Sequence, residues 1–178
     1  MAQVAVLTFG IFHNELDQAG LATFYDRGSA IFQLAEHIPG FIKVTGDKSD
    51  RAEPHSKYLS DGDTIGTSEI ISLWTHLEPL FAFVYHGLHA EALHKRRDWF
   101  VKAAFPPYVI WWVNDEHVPD WGEAYARHEH LHQHGATAFA FDFKHPFDAA
   151  GSPAQINRAA AKSLGASLPQ TPDSQGSE

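Results

Sequence analysis

The chain has 178 residues, 44% hydrophobic and 13% aromatic, with 13 Lys and Arg against 22 Asp and Glu for a net charge of −9. Such a length and apolar content suit one domain with a sizeable core, and the acidic balance provides no basic field to attract nucleic acid or a membrane surface. With no cysteine, disulfides and thiolate nucleophiles are excluded, leaving His, Asp, Glu, Tyr, Ser and Arg for chemistry. The first residues carry no basic run ahead of their apolar stretch, and no apolar segment approaches the roughly 20 residues of a membrane span, so a cytoplasmic protein is expected.

In chain order, residues 2–12 are apolar at odd and even positions alike and read as a central strand covered on both faces. Residues 17–38 show apolar positions at helical spacing, with a weak point at Gly28 and a stop at Pro39-Gly40. Phe41 to Thr45 reads as a short strand, and the polar stretch 46–67 as a loop long enough to act as a lid. Within it SDGDTIG at 60–66 lacks the spacing and final Glu of a calcium loop and reads as a turn. Ser68 to His76 is β-rich, and a helical region then runs from Leu77 to about Ala104 with a break near Gly87. YVIWWV at 108–113 is the strongest strand signal, bulky on both faces. Residues 119–134 form a third helix closed by Gly135, residues 138–143 a last strand, and Ser152-Pro153 opens a short Ala-rich helix. The domain is thus expected over 1–145, a helical extension over 146–165 and a disordered-type tail over 166–178.

This order predicts an α+β fold, a ferredoxin-like split βαβ antiparallel sheet with helices on one face. Two-sided apolar strands would then leave one sheet face bare, which implies a homodimer packed face to face.

Three segments, 71–80, 82–100 and 108–135, resemble an uncharacterised domain family of the dimeric α+β barrel superfamily, which also contains the antibiotic-biosynthesis monooxygenases. The resemblance spans roughly residues 4–143 and is carried by Trp74, His89, Arg96, Arg97, Trp99, Phe100, Trp111, Trp112, His117, Glu129, His134 and Gly135. It implies the fold first. Relatives of this barrel include cofactor-free oxygenases, haem enzymes, isomerases and cyclases. The chain departs from the family pattern in its His-rich third helix and its C-terminal extension.

For chemistry, His89, Leu93, Arg96 and Phe100 fall on one stripe if the helix after Gly87 is continuous. His89 is then the expected general acid or base, with Arg96 holding a developing oxyanion. The alternative is that each is satisfied within the core, as buried polar groups normally are. In the third helix Trp121, Tyr125, His128 and His132 share one face, and Glu123, Arg127, His130 and His134 another. His128 and His132 have metal-ligand spacing but no third ligand, so no metal is expected. Trp74, Tyr108, Trp111, Trp112, Trp121, Tyr125 and His128 are the expected lining of an apolar pocket between sheet and helices. The expected function is an enzyme acting on a small hydrophobic metabolite without an organic cofactor, by oxygenation, cyclisation or isomerisation. The alternatives are a haem enzyme of the same fold and a non-catalytic ligand-binding dimer.

Overall fold

The computed structural model describes residues 1–46 and 66–167. The elements are β1 (Ala2–Ile11), α1 (Gln18–Ala35), β2 (Phe41–Thr45), β3 (Thr67–Trp74), α2 (Leu77–Tyr85), α3 (Gly87–Lys95), β4 (Tyr108–Asn114), α4 (Trp121–His134) and α5 (Arg158–Ala166). The four strands make one antiparallel sheet in the order β2-β3-β1-β4, with β1 central as its two-sided apolar run requires. The fold is α+β. The loop expected over 46–67 lies almost wholly outside the described residues, as do the turn at 60–66, apart from Gly66, and most of the tail.

Side chains alternate across the sheet. Val4, Val6, Trp74 and Ile110 point to one face and pack with Ile31, Ala35, Leu77, Leu80 and Phe83 of α1 and α2. Ala5, Leu7, Ile71, Leu73, Val109, Trp111 and Val113 point to the other and pack with Trp121, Ala124 and Leu131 of α4. Here the structure corrects the sequence expectation. Helices do not lie on one face alone: the face assigned to a partner copy is covered by α4 of the same chain, and its strand residues are buried without a second molecule. The amphipathic run 121–134 has its own apolar stripe to bury, and the nearest apolar surface is the sheet it has just left.

Other boundaries also shift for local reasons. α1 begins where the Asp17 side chain accepts from the Gly20 amide, and it runs through Gly28 without a break. Gly87, at φ +59, separates α2 from α3. The helix does not reach Ala104: it tightens into a 3-10 turn at Arg96–Asp98 and ends, because Phe100 bridges to Phe12 and the Val101 amide donates to Ile11 O. The Phe100 ring lies over Gly10, where a Cβ would come within 2.7 Å of it. The last strand expected at 138–143 reduces to one bridge, Phe141 to Ile110. On one side Thr137 and Ala140 close a tight turn on themselves, and on the other the Asp142 carboxylate accepts the Lys144 and His145 amides, so the flanking backbone is already spent. α5 starts at Arg158, not Ser152: Asp148 turns the chain through Ala150 and Ser152, and Asn157 caps the helix by accepting from Ala160.

Candidate functional site

The residues expected to form one pocket are divided between the two faces of the sheet. Trp74 is fully buried on the α1/α2 face, its Nε1 donating to Ser72 Oγ at 3.0 Å and its ring against Phe41 and Phe83. Tyr108 lies there too: its hydroxyl accepts from the Phe143 amide at 3.3 Å, and burial pushes the phenol well above its ordinary range. His89 packs on Phe83 with ring centroids 4.7 Å apart and hydrogen-bonds Val84 O through Nδ1 at 3.1 Å. Desolvation pulls its pKa below 6.5, and the Val84 carbonyl offsets this only in part. Arg96 stands at the exposed end of α3, and its guanidinium donates to Leu93 O at 2.9 Å.

Trp111, Trp121, Tyr125 and His128 belong to the α4 face. His128 is fully buried, with Nε2 on Pro106 O at 2.6 Å and its ring 5.5 Å from that of Phe9. The Tyr125 hydroxyl donates to Glu69, a carboxylate only 3% exposed in the middle of β3. Glu69 was not apparent in the sequence as a functional candidate. His128 and His132 keep their helical spacing, and among the described residues no three His, Asp or Glu side chains gather as a metal site.

The open chemistry lies at the start of α4. After β4 the chain turns at Asn114, whose carbonyl accepts from the His117 amide at 3.0 Å, and the Asp120 side chain caps α4 by accepting from Glu123 N at 2.8 Å. That cap places Glu123 in the first helical turn, facing back toward His117. Glu123 Oε2 meets His117 Nε2 at 2.5 Å, and its Oε1 accepts from Arg127 Nη2 at 3.0 Å one helical turn on. Arg127 is pinned in turn: Nη1 donates to Phe139 O at 2.5 Å, and the guanidinium stacks 3.9 Å from the Phe139 ring.

These groups line a cleft of about 500 Å³, walled by Trp112, Val113 and Phe139, with Asn114 at its side. The cleft is more open to solvent than enclosed, although its volume falls in the range of small-molecule sites. Glu123 is 20% exposed at the side chain and His117 52%, so the carboxylate is sheltered while the imidazole meets solvent. A carboxylate only accepts, so a neutral His117 must carry its proton on Nε2 and present the Nδ1 lone pair. The i,i+4 pair Glu123 and Arg127 was legible in the sequence. His117 was legible only as part of the family resemblance, because nothing in its spacing says that a helix cap will turn Glu123 onto it.

Residues 3–158 match the model of the family described as a domain of unknown function, DUF3291. The chain belongs to that family. The matched stretch runs from β1 to the first residue of α5, so the sheet, α4 and the cleft all lie inside the DUF3291 domain. No curated protein matches. Among solved structures, the chain is similar to the NE2512 protein of unknown function from Nitrosomonas europaea, with 12% identity and a TM-score of 0.43 over 67% of this chain and 94% of that one.

Proposed function

We propose that the chain is an enzyme that moves a proton on a small, largely apolar molecule held in the cleft beside His117. The observation that supports this is the His117–Glu123 contact of 2.5 Å at a cleft of about 500 Å³. In this reading Glu123 fixes the ring and its tautomer, Arg127 fixes Glu123, and Nδ1 of His117 takes and returns the proton. The walls Trp112 and Phe139 receive the apolar body of the substrate, and Asn114 supplies a polar contact. His89, the base expected from the sequence, is a weaker candidate: it is bonded to the backbone, and its charged form is disfavoured by burial. The reading invokes no organic cofactor. The haem alternative is decided by the absorption spectrum of the purified protein, in which a haem band would overturn a cofactor-free reaction.

The strand order and the placement of helices after β1 and β3 support a ferredoxin-like split βαβ unit, to which α4 and α5 are additions. The face-to-face homodimer of the barrel superfamily loses its stated basis here, since α4 occupies the sheet face it would use.

The test is proton exchange. A panel of small aromatic ketones in deuterated buffer should gain deuterium at the carbon beside the carbonyl when the protein is present, read by proton NMR. His117→Ala should lose that exchange. A rate that survives in a folded His117→Ala protein overturns the assignment.

A further inference from the structure

The cleft also contains a nucleophile, and an inference about its substrate class follows if the His117 site of the proposed function is correct. Nδ1 is the face of His117 turned away from Glu123, on a side chain 52% exposed. Among the described residues, those lining the cleft include no Ser, Thr or Tyr hydroxyl, and the chain has no cysteine. Nδ1 is therefore the strongest nucleophile at the cleft. The site carries little net charge: Glu123 is matched by Arg127, whose fork is already committed to Glu123 and to Phe139 O. Neither a metal cation nor a polyanion finds a free counter-charge there. A neutral molecule with an apolar body and one carbonyl fits better, with the Asn114 amide as the lining donor for a carbonyl oxygen.

We propose that the cleft takes small apolar carboxylic esters and that His117 carries their acyl group. The Nδ1 lone pair forms a bond to the acyl carbon while the ester C–O bond breaks, and the departing oxygen leaves with the electron pair and takes a proton from water. The imidazole is then cationic, and Glu123 offsets that charge by sharing the proton on Nε2. Water adds to the acyl carbon and gives one proton to the hydroxide left by the first step, the N–C bond breaks with its pair returning to Nδ1, and a carboxylic acid is released. The sum is ester plus water giving acid plus alcohol, with no oxidant or reductant.

The probe is para-nitrophenyl acetate with the full chain. Because exposed imidazoles attack this ester unaided, the decisive comparison is between variants. The expected result is an acetyl adduct mapped by mass spectrometry to His117, with ester cleavage falling roughly 10²–10⁴-fold in His117→Ala and unchanged in His94→Ala, a substitution at an exposed histidine of α3. Glu123→Gln, which keeps the shape of the contact but not its charge, should slow release of the acid in a protein whose circular dichroism is unchanged. An adduct spread evenly over the exposed histidines, or cleavage unaffected by His117→Ala, overturns the proposal. Should either variant fail to fold, adduct mapping on the wild-type chain alone still decides. If deuterium exchange depends on His117 but no adduct forms, the ester class falls and the proton-transfer reading stands. If neither depends on His117, both fall.

Discussion

Each face of the sheet holds an imidazole close to a helix, and the two are arranged in opposite ways. On the α1/α2 face His89 is pressed against Phe83 and bonded to the carbonyl of Val84. On the α4 side His117 is half exposed, bonded through Nε2 to a carboxylate, and among the residues that line a cleft. Burial makes the first a packing residue that resists protonation. Partial exposure with a charged orienting partner suits the second to the proton transfer proposed for it. Distance from the core, more than residue type, separates the two roles.

The largest effect that would sharpen this contrast is on reaction rate. His117→Ala should reduce deuterium exchange by roughly 10²–10⁴-fold and leave the unfolding free energy within about 0.5 kcal/mol of wild type, as for an exposed position. His89→Ala should do the reverse, leaving exchange intact and costing about 1–3 kcal/mol, because it strands the Val84 carbonyl and the face of Phe83. Exchange lost in His89→Ala but kept in His117→Ala would invert the comparison.

Stability tests the two helical covers. Trp74 and Trp111 are fully buried on opposite faces, and truncating either to Ala should cost about 3–5 kcal/mol in urea unfolding. If Trp111→Ala cost far less than Trp74→Ala, α4 would not be closing its face as tightly as α1 and α2 close theirs. The same cover sets the mass in solution. With both faces closed within one chain, sedimentation at micromolar concentration should give 19.8 kDa, and twice that mass would show that another surface pairs.

The smallest effect concerns pH. An unfolded chain binds a proton at His89 near pH 6.5, whereas the folded chain resists it because the ring is desolvated. The unfolded state therefore binds more protons below that pH, so stability is complete above about pH 6.5 and falls as the solution becomes more acidic. Urea midpoints at about pH 5.5 and about pH 7.5 should differ less in His89→Asn than in wild type. An unchanged difference would assign the acid sensitivity to another group.

Much of the architecture was legible because it follows from periodicity. β1 and YVIWWV show apolar residues on both faces, and the punctuation at Gly87 and Gly135 puts helix ends close to where they occur. What escaped was non-local. The Arg96 stripe assumed that a helix would continue, yet Phe100 is drawn off by Phe12, some ninety residues earlier in the chain. The apolar alternation at 138–143 was real, but Thr137 and Asp142 had stronger local uses for the backbone. The missing cover for the second face was a question of where α4 packs, and helical periodicity fixes a face without naming its partner. Glu123 and Arg127 were visible as a helical pair, whereas their junction with His117 required the turn between β4 and α4.

The position of α4 along the chain has a consequence for synthesis. All four strands precede Trp121–His134, the segment that packs on their second face. A growing chain emerges from the ribosome with Ala5, Leu7, Ile71, Leu73, Val109 and Trp111 already made and their cover still to come, so this sheet passes through a stage in which one greasy side is open to other nascent chains. Slowing translation between β4 and α4 should lengthen that stage and raise the demand for chaperones, while supplying the 121–134 stretch promptly should shorten it.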